Sequence, residues 1–119
     1  MALNHFGLDP GDDTRASEIP HHKRQWLEMA MVLASGPQLI LLDEPTAGMS
    51  PEETSNTARV LHDLRKTGLT ILVVEHDMSF VREIAQRITV LHQGRVFADG
   101  PISEVTARQD VRDIYLGRV

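Results

Sequence analysis

The chain is expected to fold as an α/β domain, with a parallel sheet flanked by helices and a small antiparallel hairpin near the C-terminal end. Three observations carry this expectation. Leu39 to Leu42 and Thr70 to Val74 are short apolar runs without polar alternation, as in strands covered on both faces. Helical patterns stand between and after these runs, and alternation of strand and helix is the pattern of a parallel sheet. Asp43-Glu44 and Glu75-His76-Asp77 directly follow the two runs, which puts acids and an imidazole at carboxyl strand ends, where open α/β sheets form their ligand crevices.

From Met1 to Ser17 the composition is mixed, and Asp9-Pro10-Gly11-Asp12-Asp13 is a strong turn signal, so the chain opens on a loop-rich segment. Between Lys23 and Ser35, Leu27, Ala30, Met31 and Ala34 recur at helical spacing while Trp26, Met29 and Val32 fill the flanks. This predicts a largely enclosed helix stopped by Gly36-Pro37. After the first strand, Ser50 suits an N-cap, Pro51 the first helical position and Glu53 the third. Arg65 and Lys66 fall in the last turn before Gly68. A further helix is expected through Val81, Ile84 and Ala85, followed by a third strand over Ile88 to Leu91. Gln93-Gly94 then turns the chain into Arg95 to Asp99 as an edge hairpin, and Gly100-Pro101 leads to short helices carrying Val105, Val111, Ile114 and Tyr115.

At 119 residues and 41% hydrophobic, the chain has the content of one globular domain or part of one. A formal charge of -5 argues against nucleic acid and anionic membrane surfaces as partners. No apolar stretch approaches the roughly 20 residues that span a bilayer, and Met1 to Asp13 lacks the pattern of a secretory signal. Zero cysteines exclude disulfides and thiol chemistry, so a cytosolic setting is expected, with any membrane contact made through another protein.

Among chemistry-bearing residues, Asp43 at a strand tip suits a hard cation held through water, and Glu44 is placed to face an attacking water. His76 ends the neighbouring apolar run and is expected near Glu44, while Glu75 and Asp77 are read as helix-capping acids. A histidine metal site is not supported: His21 and His22 are adjacent on an expected loop, and His5, His62 and His92 stand at no short fixed offset. Trp26, Met29 and Met31 are read as core. Arg59, Arg65, Lys66, Arg82 and Arg87 are read as solvated helix faces. No Gly-x-x-x-x-Gly-Lys-Ser/Thr loop, the phosphate cradle of many nucleotide hydrolases, occurs in the sequence.

These residues resemble a family. Leu39 to Glu44 is similar to the Walker B strand of ATP-binding-cassette (ABC) ATPases, Ala47-Gly48-Met49-Ser50 to their D-loop, and His76 to their switch histidine. Gln25-Trp26-Leu27-Glu28, Val74-Glu75-His76-Asp77-Met78 with Phe80-Val81, and Ile114-Tyr115-Leu116-Gly117 resemble most the ATPase subunits of urea and branched-chain amino-acid importers. The resemblance implies a partial P-loop NTPase fold, ATP and Mg²⁺ as cofactors, Asp43 toward magnesium, Glu44 toward water and His76 toward the γ-phosphate. It implies as partners a second ATPase domain, met through Ala47, Gly48, Met49 and Ser50, and membrane permease subunits.

Two departures accompany it. The Walker A loop and the Q-loop belong to the family's N-terminal half, so Met1 is expected to lie inside the helical subdomain. Residues 1–35 would then complete that subdomain and the signature helix, and residues 36–119 the Walker B, D-loop and switch-histidine core of a single partial domain. The family's signature loop is close to Leu-Ser-Gly-Gly-Gln, or Leu-Ser-His-Gly-Gln in this subgroup, whereas this chain reads Ile19-Pro20-His21-His22-Lys23. Pro20 brings neither hydroxyl nor N–H, and His22 adds bulk where the family's backbone approaches phosphate. The reading is therefore the C-terminal part of an importer ATPase subunit, inactive alone. The alternative is a non-catalytic module that docks onto an intact ABC ATPase or permease. With the family's Walker A strand missing from the middle of the sheet, open strand edges are expected to leave the chain marginally stable or oligomeric.

Overall fold

A computed structural model describes Asn4 and residues 6–115; His5, Leu116 and Gly117, named above, lie outside the described residues. The chain divides into two compact units, one running to Glu75 and the other starting at His76.

In the first unit a short 3₁₀ turn at Ala16–Glu18 precedes helix α1, His21–Leu33. Strand β1, Leu39–Asp43, helix α2, Pro51–Lys66, and strand β2, Thr70–Val74, complete it. The two strands pair in parallel, with Leu39 opposite Thr70 and Asp43 opposite Val74. Helix α2 starts as its sequence requires: Ser50 Oγ accepts the Glu53 N–H, Glu53 Oε2 accepts the Ser50 N–H, and Pro51 occupies the first turn. Its apolar stripe of Ala58, Val60, Leu61 and Leu64 is buried, and the helix packs on β2.

Helix α1 begins two residues earlier than its apolar periodicity suggests, at His21, directly after Pro20. Proline suits this boundary because its fixed φ is compatible with the extended backbone before a helix, but it supplies no side-chain acceptor to the first turn. His21, His22 and Lys23 are therefore helical rather than part of a loop. Trp26, Met29 and Ala30 form the buried stripe, but Met31 is 67% and Val32 49% exposed, so the helix is enclosed on one side only. Gly36, at φ +68°, closes the helix end in the left-handed region open to glycine.

The expectation of strands covered on both faces fails for a related reason. Ile40 is buried and Ile71 and Val73 are half-buried, while Leu39, Leu41, Leu72 and Val74 alternate with them and face solvent; Leu41 is 68% exposed. The uninterrupted apolar run thus lies in a two-stranded ladder with one covered face.

The second unit begins with helix α3, Met78–Ile84, capped by Asp77, whose carboxylate accepts the Phe80 N–H. Strands β3, Arg87–His92, and β4, Arg95–Pro101, form an antiparallel hairpin with an irregularity between Val90 and Leu91. Gln93 and Gly94 turn it with φ +50° and +74°, the two positive angles that a tight two-residue hairpin demands. Helices α4, Ile102–Val105, and α5, Gln109–Tyr115, follow. Val90, Ala98, Val105 and Val111 make this unit's core, flanked by Ile88 and Phe97. Arg87 does not lie on a helix face; it opens β3 and pairs with Asp99 across the hairpin at 2.9 Å. Among the described residues β3 pairs with β4 alone, so the parallel ladder holds two strands rather than three. No helix among the described residues is long and apolar enough to cross a membrane.

Candidate functional site

Parallel pairing carries β1 and β2 to a common end, and the residues beyond that end are laced together. Asp43 is the last residue of β1 and is exposed. The Glu44 N–H continues the ladder by donating to Val74 O at 2.8 Å, after which the Glu44 backbone takes φ +47°. A non-glycine residue there is held against its own preference, at a cost of roughly 1–3 kcal/mol, by surrounding contacts. Those contacts are at hand. Pro45 and Thr46 are buried, the Ala47 N–H donates to Glu44 O at 3.1 Å, and the Met49 N–H donates to Thr46 O at 3.0 Å.

Thr46 also fixes this turn to the other strand end. Its hydroxyl donates to Glu75 Oε2 at 2.7 Å, and its N–H lies 3.4 Å from the same oxygen. Glu75 is thus not the helix cap expected of it, a role that falls to Asp77 alone. The Thr46–Glu75 tie is absent from the sequence reading. The in-register strands, each followed within a few residues by a polar group, were the signal that could have found it.

The residues at the start of α1 come to the same loop. His21 Nε2 lies 2.9 Å from Ala47 O, and His22 Nδ1 lies 3.0 Å from Glu53 Oε1. Asp43, Glu44, Ala47, Gly48, Met49, Ser50, His21 and His22 therefore belong to one unit. Pro20 and Lys23 flank these contacts, Pro20 as the residue before the helix and Lys23 exposed in its first turn. His76 opens the second unit and is exposed.

The donor set can be weighed against magnesium and ATP. Among the described residues no group of three or more His, Cys, Asp or Glu side chains could enclose a metal ion. An exposed Asp43 at a strand tip nevertheless suits Mg²⁺, which commonly keeps several waters and takes one or two carboxylates plus phosphate oxygens. The Asp43 carboxylate thus fits a hydrated magnesium ion, and the pattern Gly-x-x-x-x-Gly-Lys-Ser/Thr does not occur in the sequence.

A parallel strand pair with acids at its carboxyl end, a buried Pro-Thr turn and a capped helix define the class as an α/β fold with its polar residues gathered beyond one sheet end. No family model matches the chain. The high-affinity branched-chain amino acid transport ATP-binding protein LivG of Salmonella typhimurium is 36% identical over 116 residues, which cover 97% of this chain and 46% of LivG. The octopine permease ATP-binding protein P of Rhizobium radiobacter is 36% identical over 105 residues, covering 88% of this chain and 40% of that protein. The solved structure of an ATP-binding cassette of an ABC transporter superposes with a TM-score of 0.85 at 27% identity, over 98% of this chain and 47% of that one. The chain's homologues are ABC transporter ATPase subunits, and its fold is that of a segment of the ABC ATPase domain. It spans about half the length of the relatives it matches.

Proposed function

We propose that the chain supplies the hydrolytic strand end of an ABC importer ATPase of the amino-acid type. The observation that supports this most is the pairing of β1 and β2, which leaves Asp43 and Glu44 exposed at a carboxyl strand end inside a turn built from Pro45, Thr46 and Ala47. Within this reading Asp43 holds magnesium through water, and bound Mg²⁺ neutralises charge on the phosphoryl oxygens. Glu44 orients the attacking water. His76 serves the γ-phosphate, and Ala47 to Ser50 face a second ATPase domain. The chain works at the cytoplasmic side of a membrane through permease subunits. It forms a single partial domain, with residues 1–35 the end of a helical subdomain and residues 36–119 the core.

The same reading makes the chain inactive alone. The sequence has no Walker A loop, and its signature position carries Pro20 where a hydroxyl is expected. The test is magnesium–ATP titration calorimetry on the purified chain, with and without a separately expressed N-terminal half from a related ATPase. Binding that requires the added half is expected, with turnover of the mixture lost in Glu44→Gln. Absence of binding in both arms by folded protein, or turnover by the chain alone that disappears in Glu44→Gln, would contradict part of this assignment.

A further inference from the structure

We propose that His21 is a positioning residue that, anchored by His22, clamps the turn carrying Glu44. A backbone carbonyl only accepts, so the 2.9 Å contact requires the His21 ring to hold its proton on Nε2 and donate to Ala47 O. The same residue is also tied on its N-terminal side, since the Ala47 N–H donates to Glu44 O. His21 thereby acts on Glu44 through one intervening residue. The imidazole also lies over Gly48: a Cβ at that position would come within 3.2 Å of His21 Cδ2 and Nε2, and Gly48 adopts φ +75°. Ring and glycine thus specify one another.

His22 secures the other end of the turn. Its Nδ1 meets Glu53 Oε1, while Glu53 Oε2 accepts the Ser50 N–H at 2.9 Å. The ring is also held edge-on to Trp26, with centroids 4.9 Å apart, and the buried Trp26 indole donates to Thr57 of α2. Two consecutive side chains in the first turn of α1 therefore hold Ala47-Gly48 and, through Glu53, Ser50. The consequence for water orientation rests on the role proposed for Glu44; the clamp itself does not.

The test uses backbone amide hydrogen exchange on the full chain, followed by NMR without nucleotide. In His21→Ala, the Ala47 and Met49 amides are expected to exchange about fivefold faster or more, the scale of one net hydrogen bond, while amides inside α2 keep their protection. His21→Gln, whose side-chain amide donates at similar reach, is expected to restore protection at both positions. Unchanged exchange in His21→Ala overturns the clamp. Acceleration spread equally through α2, or local acceleration that Gln does not reverse, overturns the donor role. Because no nucleotide is present, failure of ATP binding leaves this result standing, and failure of the clamp leaves the carboxylate assignment standing.

Discussion

Thr57 has no exposed surface, yet its side chain is polar, and it is a buried point where the two helices α1 and α2 share a hydrogen bond. Its Oγ1 accepts from Trp26 Nε1 at 2.8 Å and lies 2.9 Å from Glu53 O, so hydroxyl proton and lone pair are both used; Met49 Sδ completes its surroundings at 3.3 Å. Thr57→Val keeps the volume but leaves the indole N–H buried without an acceptor, which costs about 1–3 kcal/mol. Urea denaturation of wild type, Thr57→Val, Trp26→Phe and the double variant is expected to give a coupling energy on the order of 1 kcal/mol between the two sites. A neutral Thr57→Val would show that the bond adds nothing to the helix contact. The sequence marked Trp26 as core from its spacing alone, and the structure agrees. It did not mark Thr57, because the partner that makes a buried threonine useful stands 31 positions away.

At the scale of elements, legibility followed locality. The capping box of α2 and the Gln93-Gly94 turn are written in adjacent residues, and both form as expected. The start of α1 was missed because His21 and His22 carry no apolar periodicity. Exposure was missed on Met31 and Leu41 because apolar character says that a face can be covered, not that an element arrives to cover it. The hairpin shows a third case, in which a charge assigned to a helix face instead has a cross-strand partner. Arg87 donates to Asp99, and the Thr89 hydroxyl donates to the same carboxylate at 3.0 Å. The Arg87 hydrogen bond, and then that from Thr89, hold the Asp99 carboxyl below its ordinary range. A depressed carboxylate contributes stability that is present above its unfolded-state value and is lost as pH falls through its folded-state value. Arg87 stays charged throughout. The hairpin is therefore expected to loosen only on the acid side, below the usual carboxylate range. A carboxyl NMR titration should give Asp99 a lower midpoint than an unpaired exposed aspartate, and Asp99→Asn should remove the local acid transition. A midpoint at the ordinary value would sink the argument.

Across the whole molecule, the exposed apolar residues and the short ladders bear on what the chain does in solution. On β1 and β2 the outward positions are Leu39, Leu41, Leu72 and Val74, and the parallel register sets Leu41 directly opposite Leu72, so these side chains form one continuous patch. Contiguous apolar surface of this kind marks an interaction site or an association hazard, and a two-stranded ladder adds unpaired backbone at its edges. The formal charge of -5 opposes self-association, but through long-range repulsion that falls off beyond about 10 Å at 0.1 M salt, whereas burial of the leucines acts on contact. Contact should prevail at ordinary ionic strength. The isolated chain is expected to show concentration-dependent association in sedimentation velocity, strengthened by added salt. Leu41→Lys combined with Leu72→Glu places an opposite-charge pair across the same register, which preserves the ladder while removing the centre of the patch. That double variant is expected to shift the chain toward monomer without loss of strand signal in circular dichroism. A monodisperse wild-type monomer with a sharp cooperative melt would show that the patch is harmless and that the two-stranded ladder is adequate as it stands.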